Sequence, residues 1–521
     1  MACVSAPGAE LQRAPAADAP PPVEREFRGV WAASVANLDW PSRPGLPPDS
    51  QRAELVRILE RASELRLNAV LLQIRPAADA LYPSELEPWS EYLTGQQGRA
   101  PEPFYDPLQF AVEQAHARGI ELHAWFNPYR AWAPSATGTA APSHISRANP
   151  ELVHRYGAFL WMDPGEPAVL RRSIDVIMDV VRRYDVDGVH LDDYFYPYRE
   201  NDASGREIEF PDSGSYARYR AGGGALGRSD WRRNNVDRFV AQMYDEVKRA
   251  KPWVKVSISP IGTWRPNVVP QIIGFDAYES IFADARKWLV DGSLDFMVPQ
   301  IYWPIARTDM SYPVLLDWWV RQNVRGRGLY AGLITSNVNL APGPRAGWRA
   351  DEILGQIYIA RGRPGADGHV HFRMGTLMPN HAFAPISDTV PPERVDSIRA
   401  DQRRLQARLD TLTTRLRDET YARPALVPLM PWLDDAPPAQ PRATLRGSTL
   451  AITPGTGEAS FLWVVQWRAS DVAPGTPPWR TEVLPAATRE WRAPAQEVWI
   501  SAVDRLGNQS RPVRVTGAGH R

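Results

Sequence analysis

Residues 187–198 read DGVHLDDYFYPY, in which two adjacent acids, Asp192 and Asp193, follow a short apolar run and precede four aromatic residues. A short apolar run of this kind, bounded by turn residues, predicts a buried strand. Two acids at its end can be hydrated carboxylates at the start of a loop, which is the default interpretation. The neighbouring segments decide whether the pair carries chemistry.

The stretch belongs to a pattern in which short β-rich runs alternate with amphipathic helices from Phe27 to about Leu377. This alternation predicts βαβ units and a parallel sheet. The predicted strands cover residues 27–34, 68–75, 120–127, 186–195, 254–262, 295–303, 329–337 and 369–377. Eight units in about 350 residues predict the α/β class and a (β/α)8 TIM barrel with enlarged loops.

Changes in composition divide the chain into four predicted segments. An Ala- and Pro-rich start indicates a disordered tether, and an amphipathic helix over about 395–416 closes the barrel. A proline-rich stretch then indicates a stiff linker, and short alternating strands after it indicate a small all-β sandwich. The predicted segments are 1–25 for the tether, 26–420 for the barrel with its closing helix, 421–441 for the linker and 442–521 for the sandwich.

Charge and cysteine content limit the possible partners. Lys plus Arg and Asp plus Glu are equal at 60 each, so no net field attracts nucleic acid or an anionic membrane. The one cysteine, Cys3, excludes an intramolecular disulfide and a multi-cysteine metal site. Its place between Ala2 and the tether is typical of the lipidated cysteine of a bacterial lipoprotein, but the apolar signal that precedes such a cysteine is missing. Cys3 is therefore either a lipid attachment site or an incidental residue of the tether.

Strand alternation sends a polar set of side chains toward the barrel axis. In the fourth strand it places His190 and Asp192 inside and leaves Asp193 at the rim. The same parity predicts these further inward residues: Gln73, Arg75, His123, Trp125, Asn127, Ser257, Ser259, Gln300, Tyr302, His371 and Arg373. Barrel interiors are normally filled by Val, Ile and Leu, and barrel active sites lie at the carboxyl ends of the strands. The polar excess therefore predicts a site at that end.

Aromatic residues occur at or just after the same strand ends. They are Trp125, Tyr129, Tyr194, Tyr196, Trp264 and Trp303. Each one alone is more often a packing residue, but flat rings also pack on the C–H faces of sugars while polar neighbours bind the hydroxyl groups. As a set around acids, they favour a glycan ligand.

Eight motifs in this order resemble the glycosyl-hydrolase-like family 10 barrels, also described as domain of unknown function 187. The motifs are GVWAASVANLDWP, ALYPSELEPWSEYLTG, DPLQFAVEQAHARGIELHAWFNPYR, VDGVHLDDYFYP, WRRNNV, SISPIGTWR, ADARKW and PQIYWP. The resemblance covers about residues 27–380. The stretch VWISAVDRLGNQS near the C-terminus resembles fibronectin type III modules.

The resemblance implies a glycoside hydrolase of the bacterial cell envelope, many relatives being periplasmic or surface lipoproteins. The best-understood relatives cleave peptidoglycan glycan strands that have lost their stem peptides. We expect such a glycan as substrate, no cofactor, no metal, and a membrane association only through a lipid on Cys3. The predicted substrate-binding residues are Arg75, Trp125, Asn127, Tyr129, Arg130, His190, Tyr194, Trp264, Gln300, Tyr302, Trp303 and Arg373.

Glycoside hydrolysis usually needs two carboxyl groups. Asp192 is the first candidate because parity aims it into the barrel mouth, and Asp193 points the other way. Asp284, which lies in the matching motif ADARKW, is the preferred partner in catalysis. Asp79 and Asp212 remain open as alternatives.

Two other classes of function remain open. A catalytically silent glycan-binding lipoprotein would keep the aromatic residues without an acid pair. A metal-dependent polysaccharide deacetylase would use His123, His190 and His371 as ligands. These histidines lie on separate strands without an H-x-x-x-H spacing, which favours hydrogen-bonding roles over metal binding.

Overall fold

Eight parallel strands form a barrel in the computed structural model, which describes residues 19–339, 347–379, 390–469 and 478–517. The strands are Phe27–Ala32, Ala69–Arg75, Glu121–Phe126, Gly188–Leu191, Lys255–Ile258, Phe296–Met297, a seventh in two pieces at Gly328–Leu329 and Ala331–Leu333, and Gly368–His371. The two pieces of the seventh strand pair with the sixth and the eighth strand, and the eighth pairs with the first. This closure confirms the predicted (β/α)8 barrel.

Helices cover the outside of the barrel. Those that follow the eight strands are Pro48–Glu64, Pro107–His116, Pro167–Arg183, Arg228–Ala250, Ala285–Asp291, Tyr312–Gln322, Ala350–Arg361 and Met374–Leu377. The first helix buries Leu55, Leu59 and Ala62 completely, and their spacing of four and three residues places them on one face. The second helix begins where Asp106 accepts hydrogen bonds from the N–H groups of its first turn, which stabilises that end.

The loops carry further elements above the carboxyl ends of the strands. Short helices are Glu91–Thr94, Ile145–Ala148, Ser213–Ala221 and Ala277–Ser280, and helical turns are Val35–Asn37, Pro150–Leu152 and Thr335–Asn337. The loop after the third strand forms its own antiparallel sheet from Arg130–Trp132, Val153–Tyr156 and Phe159–Met162. These enlarged loops build the walls around the barrel mouth.

The amino-terminal half of the barrel interior is filled by an apolar cluster. Phe27 and Tyr330 stack with their ring centroids 4.4 Å apart, and Val427 and Met430 complete the cluster from below. Val427 and Met430 belong to segment 421–441, where we predicted a linker. The segment packs across the amino-terminal end of the barrel because its apolar side chains gain more from burial than from solvent exposure. It is thus a floor of the barrel and not a free spacer.

A long helix precedes this floor. It covers Pro392–Arg415 and continues as a wider helical turn over Leu416–Thr420. Leu409 and Leu412 are buried in the core between the barrel and its helices. After the turn, the Tyr421 hydroxyl group hydrogen-bonds the ring of His371 at 2.8 Å. His371 therefore faces outward, and its predicted inward direction is wrong because Val370 occupies the interior.

The C-terminal module consists of two antiparallel sheets. One joins Arg442–Arg446, Thr449–Thr453 and Glu490–Arg492, and the other joins Trp479–Pro485, Leu462–Arg468, Glu497–Val503 and Val513–Thr516. Trp463 is fully buried in the apolar cluster that the two sheets share. This confirms the small all-β domain, while its likeness to fibronectin type III modules stays a prediction.

The module packs on the barrel, and the start of the chain packs on the module. Arg505 of the module forms a double ion pair with Asp185 at 2.7 and 2.6 Å. Within the predicted tether 1–25, the carbonyl group of Pro21 accepts a hydrogen bond from Gln466 at 2.9 Å. Cys3 and the rest of residues 1–18 lie outside the described residues. Within the described ranges, no helix combines the length and the apolar character that crossing a membrane requires.

Candidate active site

A pocket opens at the carboxyl ends of the barrel strands. Its polar lining residues are Gln73, Arg130, Asp192, Asp193, Ser259 and Gln300. Its aromatic lining residues are Trp31, Trp125, Tyr194, Tyr198, Tyr302 and Phe372. Acids, amides and aromatic rings thus share one cavity at the end of the barrel where barrel active sites lie.

Asp192 is held by three fixed hydrogen-bond donors. Its Oδ2 atom accepts from Asn127 Nδ2 at 2.6 Å and from Trp125 Nε1 at 3.2 Å, and its Oδ1 atom accepts from the backbone N–H of Tyr194 at 3.1 Å. Asn127 is itself oriented by Gln73, whose Nε2 atom donates to Asn127 Oδ1 at 2.6 Å. The carboxyl group therefore has one orientation, set by the second and third strands.

Asp193 faces the same pocket. Its Oδ1 atom accepts from Gln300 Nε2 at 2.9 Å, and its Oδ2 atom accepts from the hydroxyl group of Tyr198. We predicted that Asp193 would turn away to the rim, and this is wrong. The fourth strand ends at Leu191, so the alternation of side chains no longer applies and the turning chain aims both acids inward.

Burial and mutual repulsion change the acidity of the two carboxyl groups. Burial raises the pKa of Asp192 to about 7, and the neighbouring Asp193 adds to the rise, while Arg130 and the hydrogen bond from Asn127 oppose it. Burial also raises the pKa of Asp193, against the hydrogen bonds from Tyr198 and Gln300. Two acids in one poorly solvated pocket cannot both ionise easily. One proton therefore stays on the pair near neutral pH.

The residues beneath the pair are neutral. Trp31 Nε1 donates to His190 Nε2 at 2.9 Å, and His190 Nδ1 lies 2.8 Å from Ser257 Oγ. Burial lowers the pKa of His190 well below its usual value, and burial beside the acids raises the pKa of Tyr302 well above its usual value. Of the polar groups near the pair, Arg130 carries the positive charge; its guanidinium group lies 5.0 Å from the ring centre of Tyr194.

The comparison with protein families decides the family. A model described as glycosyl hydrolase-like 10 matches residues 26–349. The chain belongs to this family. Glycosyl hydrolase YngK of Bacillus subtilis (strain 168) is 39% identical over 431 residues, which cover 81% of this chain and 77% of the relative. Glycosyl hydrolase DigH of Escherichia coli (strain K12) is 34% identical over 402 residues, which cover 71% of this chain and 89% of the relative.

Solved structures give a more distant likeness. The glycoside hydrolase domain of PgaB (BpsB) from Bordetella bronchiseptica matches with a TM-score of 0.46 at 15% identity and covers 70% of this chain and 100% of that chain. The catalytic domain of β-amylase from Paenibacillus polymyxa matches with a TM-score of 0.46 at 10% identity, and the match covers 68% of this chain and 94% of that chain.

In this glycosyl hydrolase-like 10 barrel, Asp284 does not line the pocket. Its Oδ1 atom accepts from Trp264 Nε1 at 2.9 Å and from the backbone N–H of Lys287 at 3.2 Å. Asp284 is thus the N-cap of the helix Ala285–Asp291, and a capping aspartate has a structural reason to be there. A partner acid of Asp192 would have to line the same pocket, and Asp284 does not.

The two alternative acids are also held elsewhere. Asp212 is buried in ion pairs with Arg228 and Arg232. Asp79 accepts a hydrogen bond from the backbone N–H of Ala77 at 3.0 Å, and burial raises its pKa to about 6. Neither residue lines the pocket.

Several predicted sugar-binding residues lie behind the pocket wall. Arg75 is bound by Glu87, with Nε 2.7 Å from Oε2, and donates to the backbone carbonyl group of Asn127. The guanidinium group near Asp192 is therefore that of Arg130 and not that of Arg75. Tyr129 is fully buried against Phe239. These residues support the wall from outside, because the guanidinium group of Arg75 is bound by protein and the ring of Tyr129 is enclosed in the core.

Three other predicted residues lie to the side of the pocket. The rings of Trp264 and Trp318 stack with centroids 5.9 Å apart, and Trp303 packs against the core outside the barrel. Arg373 forms an ion pair with Asp39 at 2.7 Å. Within the described ranges the pocket keeps Trp125, Asn127, Arg130, His190, Tyr194, Gln300 and Tyr302 of the predicted binding set, either in its wall or directly beneath the acids.

The pocket also contains residues that the sequence did not single out. Trp31 and Leu38 come from the first strand and the loop after it, and Phe372 comes from the end of the eighth strand. Tyr198, the last residue of DGVHLDDYFYPY, folds back to donate to Asp193. The position of Tyr198 in the opening motif could have indicated this contact with Asp193. No sequence pattern indicated that Leu38 and Phe372 line the pocket.

The three histidines considered as metal ligands do not share a site. His123 Nε2 lies 2.9 Å from Glu121 Oε2 in the lower barrel, and His371 lies outside the strand ring. A second cavity lies at the opposite end of the barrel against the C-terminal module, where Arg66, Glu121 and Phe461 are among its lining residues. It lacks the aromatic walls of the pocket at the strand ends.

Proposed function

We propose that the protein hydrolyses glycosidic bonds in a cell-envelope glycan, and that its preferred substrate is a peptidoglycan glycan strand without stem peptides. The observation that carries this proposal is the pair Asp192 and Asp193 in one pocket at the strand ends. A carboxylic acid whose pKa is raised to about 7 by burial keeps its proton at neutral pH and can give it to a leaving oxygen.

The surroundings of the pair fit a sugar ring. Trp31 and Trp125 offer flat apolar faces, and hydroxyl groups can bind the N–H donors of Arg130 and the amide oxygen of Gln300. Both relatives described above are named glycosyl hydrolases. The motif resemblance implies the peptide-free peptidoglycan strand, so this finer choice of substrate rests on the resemblance.

Incubation with matched glycans tests the proposal. The purified protein is incubated with intact peptidoglycan and with the same material after enzymatic removal of the stem peptides, and soluble fragments are identified by mass spectrometry. We expect new reducing ends from the peptide-free strand. The Asp192→Asn variant should release fragments about 10² to 10⁴ times more slowly, because general acid catalysis is lost. Asp245→Asn, on the exposed side of the helix Arg228–Ala250, is the matched control.

Three results would contradict the proposal in different ways. Binding without new reducing ends would support the glycan-binding alternative, and release of acetate that a chelator stops would support the deacetylase. Equal rates for Asp192→Asn and Asp245→Asn would remove the acid pair from the mechanism.

We also propose that the protein works in the cell envelope and carries a lipid on Cys3. Ala2 and Cys3 before an Ala- and Pro-rich segment support this proposal. Mass spectrometry of the native N-terminal peptide should show a diacylglyceryl-modified cysteine, and an unmodified Cys3 in a cytoplasmic fraction would contradict it.

A further inference from the structure

The two pocket acids are consecutive residues of one strand end. The usual glycosidase mechanism needs two carboxyl groups that flank the scissile bond, one to protonate the leaving oxygen and one to attack C1 or to activate water on the other face of the sugar. Asp192 and Asp193 both follow the end of the fourth strand at Leu191, and both line the pocket. They are therefore neighbours at one strand end, whereas two flanking carboxyl groups usually come from two separate strands.

The wall across the barrel is neutral in the part of the chain that the structure describes. In the strand order, the fourth strand lies opposite the eighth and the first. Those strands and the loop after the first line the pocket with Trp31, Ala33, Val35, Leu38 and Phe372. No carboxyl group of the described residues other than the pair lines this pocket. A protein nucleophile on that side is missing from the described wall.

We propose that the nucleophile is the 2-acetamido group of the substrate itself, so that the sugar bound in the pocket is a 2-acetamido-2-deoxyhexose. This inference rests on the proposed function, which it deepens by naming the sugar and the attacking atom. Substrate-assisted hydrolysis is a known alternative to the two-sided arrangement. It uses one carboxylic acid to protonate the leaving oxygen and one carboxylate to take the amide proton, and this pocket offers two neighbouring carboxyl groups for these roles.

In the first step, the carbonyl oxygen of the acetamido group forms a bond to C1 while the bond from C1 to the leaving sugar oxygen breaks. Asp192 gives its proton to that oxygen and becomes a carboxylate. Asp193 accepts the amide N–H proton of the acetamido group, so the sugar becomes a neutral oxazoline. Charge balances because Asp192 loses a proton and Asp193 gains one.

In the second step, a water oxygen attacks C1 and the bond between C1 and the former carbonyl oxygen breaks. Asp192 takes a proton from the water, and Asp193 returns its proton to the nitrogen of the acetamido group. Both acids regain their initial states, and the net reaction is addition of one water molecule across the glycosidic bond. Because C1 is attacked twice, the product keeps the anomeric configuration of the substrate.

The contacts of the pair hold the two acids separately. Tyr198 and Gln300 each donate to one oxygen of Asp193, whereas Asn127, Trp125 and the backbone N–H of Tyr194 donate to Asp192. Tyr198 and Gln300 position Asp193 without contacting the reacting atoms. Burial raises the pKa of both acids, and that of Asp192 reaches about 7. The indole rings of Trp31 and Trp125 line the pocket beside the pair, where an acetamido methyl group would find an apolar surface.

The first experiment compares two forms of one glycan. Peptide-free peptidoglycan strands are used as they are and after de-N-acetylation, which leaves free amino groups that cannot attack C1. We expect the rate on the de-N-acetylated strand to fall by at least about 10³-fold, because a positioned internal nucleophile has an effective molarity of about 10⁵ M or more. Proton NMR of the first product should show that the anomeric configuration is retained. A thiazoline analogue of the oxazoline should inhibit with an inhibition constant at least about 10²-fold lower than the KM of the substrate.

The second experiment separates the two acids. A 2-acetamido glycoside with a dinitrophenyl leaving group needs no proton donor, so Asp192→Asn should lose about 10² to 10⁴ in rate on the strand but no more than about tenfold on this glycoside. Asp193→Asn should be slow on both substrates. Asp245→Asn should match the wild type on both. The reverse pattern for Asp192→Asn and Asp193→Asn would overturn the assigned roles.

Further results would overturn the proposal as a whole. These are inversion of configuration, comparable rates on the two strands, and a covalent glycosyl adduct on a carboxylate after treatment with a 2-deoxy-2-fluoro glycoside. Loss of hydrolysis in Asp388→Asn, an acid outside the described residues, would supply a second carboxyl group and overturn it as well. Failure to cleave either strand or the activated glycoside would overturn the proposed function itself, and this inference with it.

Discussion

Replacing Asp192 by asparagine should change stability in opposite directions at low and at high pH. Burial and Asp193 raise the pKa of Asp192 from 3.8 to about 7. The folded protein thus binds a proton more tightly than the unfolded chain, and its stability falls as pH rises through this window. At pH 8 this rise lowers the free energy of unfolding by about 4 kcal/mol, since one pH unit corresponds to about 1.4 kcal/mol.

Asparagine removes the charge but changes one hydrogen bond. All three neighbours of Asp192 are donors, from Asn127, Trp125 and the backbone N–H of Tyr194, so the new NH₂ group meets at least one of them. An unmatched buried donor destabilises by about 1 to 3 kcal/mol. At pH 8 we therefore expect Asp192→Asn to be more stable than the wild type by about 1 to 3 kcal/mol. At pH 4.5 the wild type has lost only about 1 kcal/mol of this stability, so the variant should be less stable by up to about 2 kcal/mol.

Thermal unfolding at the two pH values measures this effect. Differential scanning fluorimetry and circular dichroism should show a Tm of Asp192→Asn above that of the wild type at pH 8 and below it at pH 4.5. Asp245→Asn corrects for the general pH dependence of the chain. A Tm difference for Asp192→Asn of one constant sign and size across this range would refute the buried, proton-retaining state that we assign to Asp192.

Three further outcomes follow from particular contacts. Asp284→Asn should keep near-normal hydrolysis rates, because asparagine also caps helices and Asp284 does not line the pocket; a loss comparable to that of Asp192→Asn would contradict this. Tyr198→Phe should move the rising limb of the pH profile of kcat/KM to higher pH, because loss of its hydrogen bond raises the pKa of Asp193; an unchanged limb contradicts the contact. Met430→Ala should lower the unfolding free energy by about 2 to 5 kcal/mol in urea titrations, whereas Leu429→Ala, at an exposed site, should lower it by much less.

The sequence predicted the barrel and the central acid because period-two alternation is a local property. Within the regular part of the fourth strand it placed His190 inside correctly, since backbone pleating alone decides that direction. It was wrong for Asp193, because the strand ends at Leu191, four residues earlier than predicted, and the direction of a side chain after a strand depends on the turn. It was wrong for His371, whose outward direction depends on Tyr421, a contact that joins residues fifty positions apart.

Long-range packing also explains the other errors. The motif around Asp284 is the same whether its carboxylate serves a substrate or a helix end, so the sequence alone did not separate these roles. Segment 421–441 reads as a linker by composition, because its prolines are visible in the sequence whereas the barrel end that receives Val427 and Met430 exists only after folding. Leu38 and Phe372 were missed because loop geometry, and not any residue pattern, brings them to the pocket.

The floor made by Val427 and Met430 closes the amino-terminal end of the barrel, so the described part of the chain leaves one entrance to it. The apolar cluster above it fills the interior from below, so the strand ring is a blind well and not a tunnel. Substrate, water and products must all pass through the mouth between the loops. A long polymer can be processed at such a well only by lying across its rim and dipping one ring inside, or by offering a chain end. The shape of the rim, to which Tyr194 and Leu38 contribute, thus sets whether cuts fall within glycan strands or at their ends.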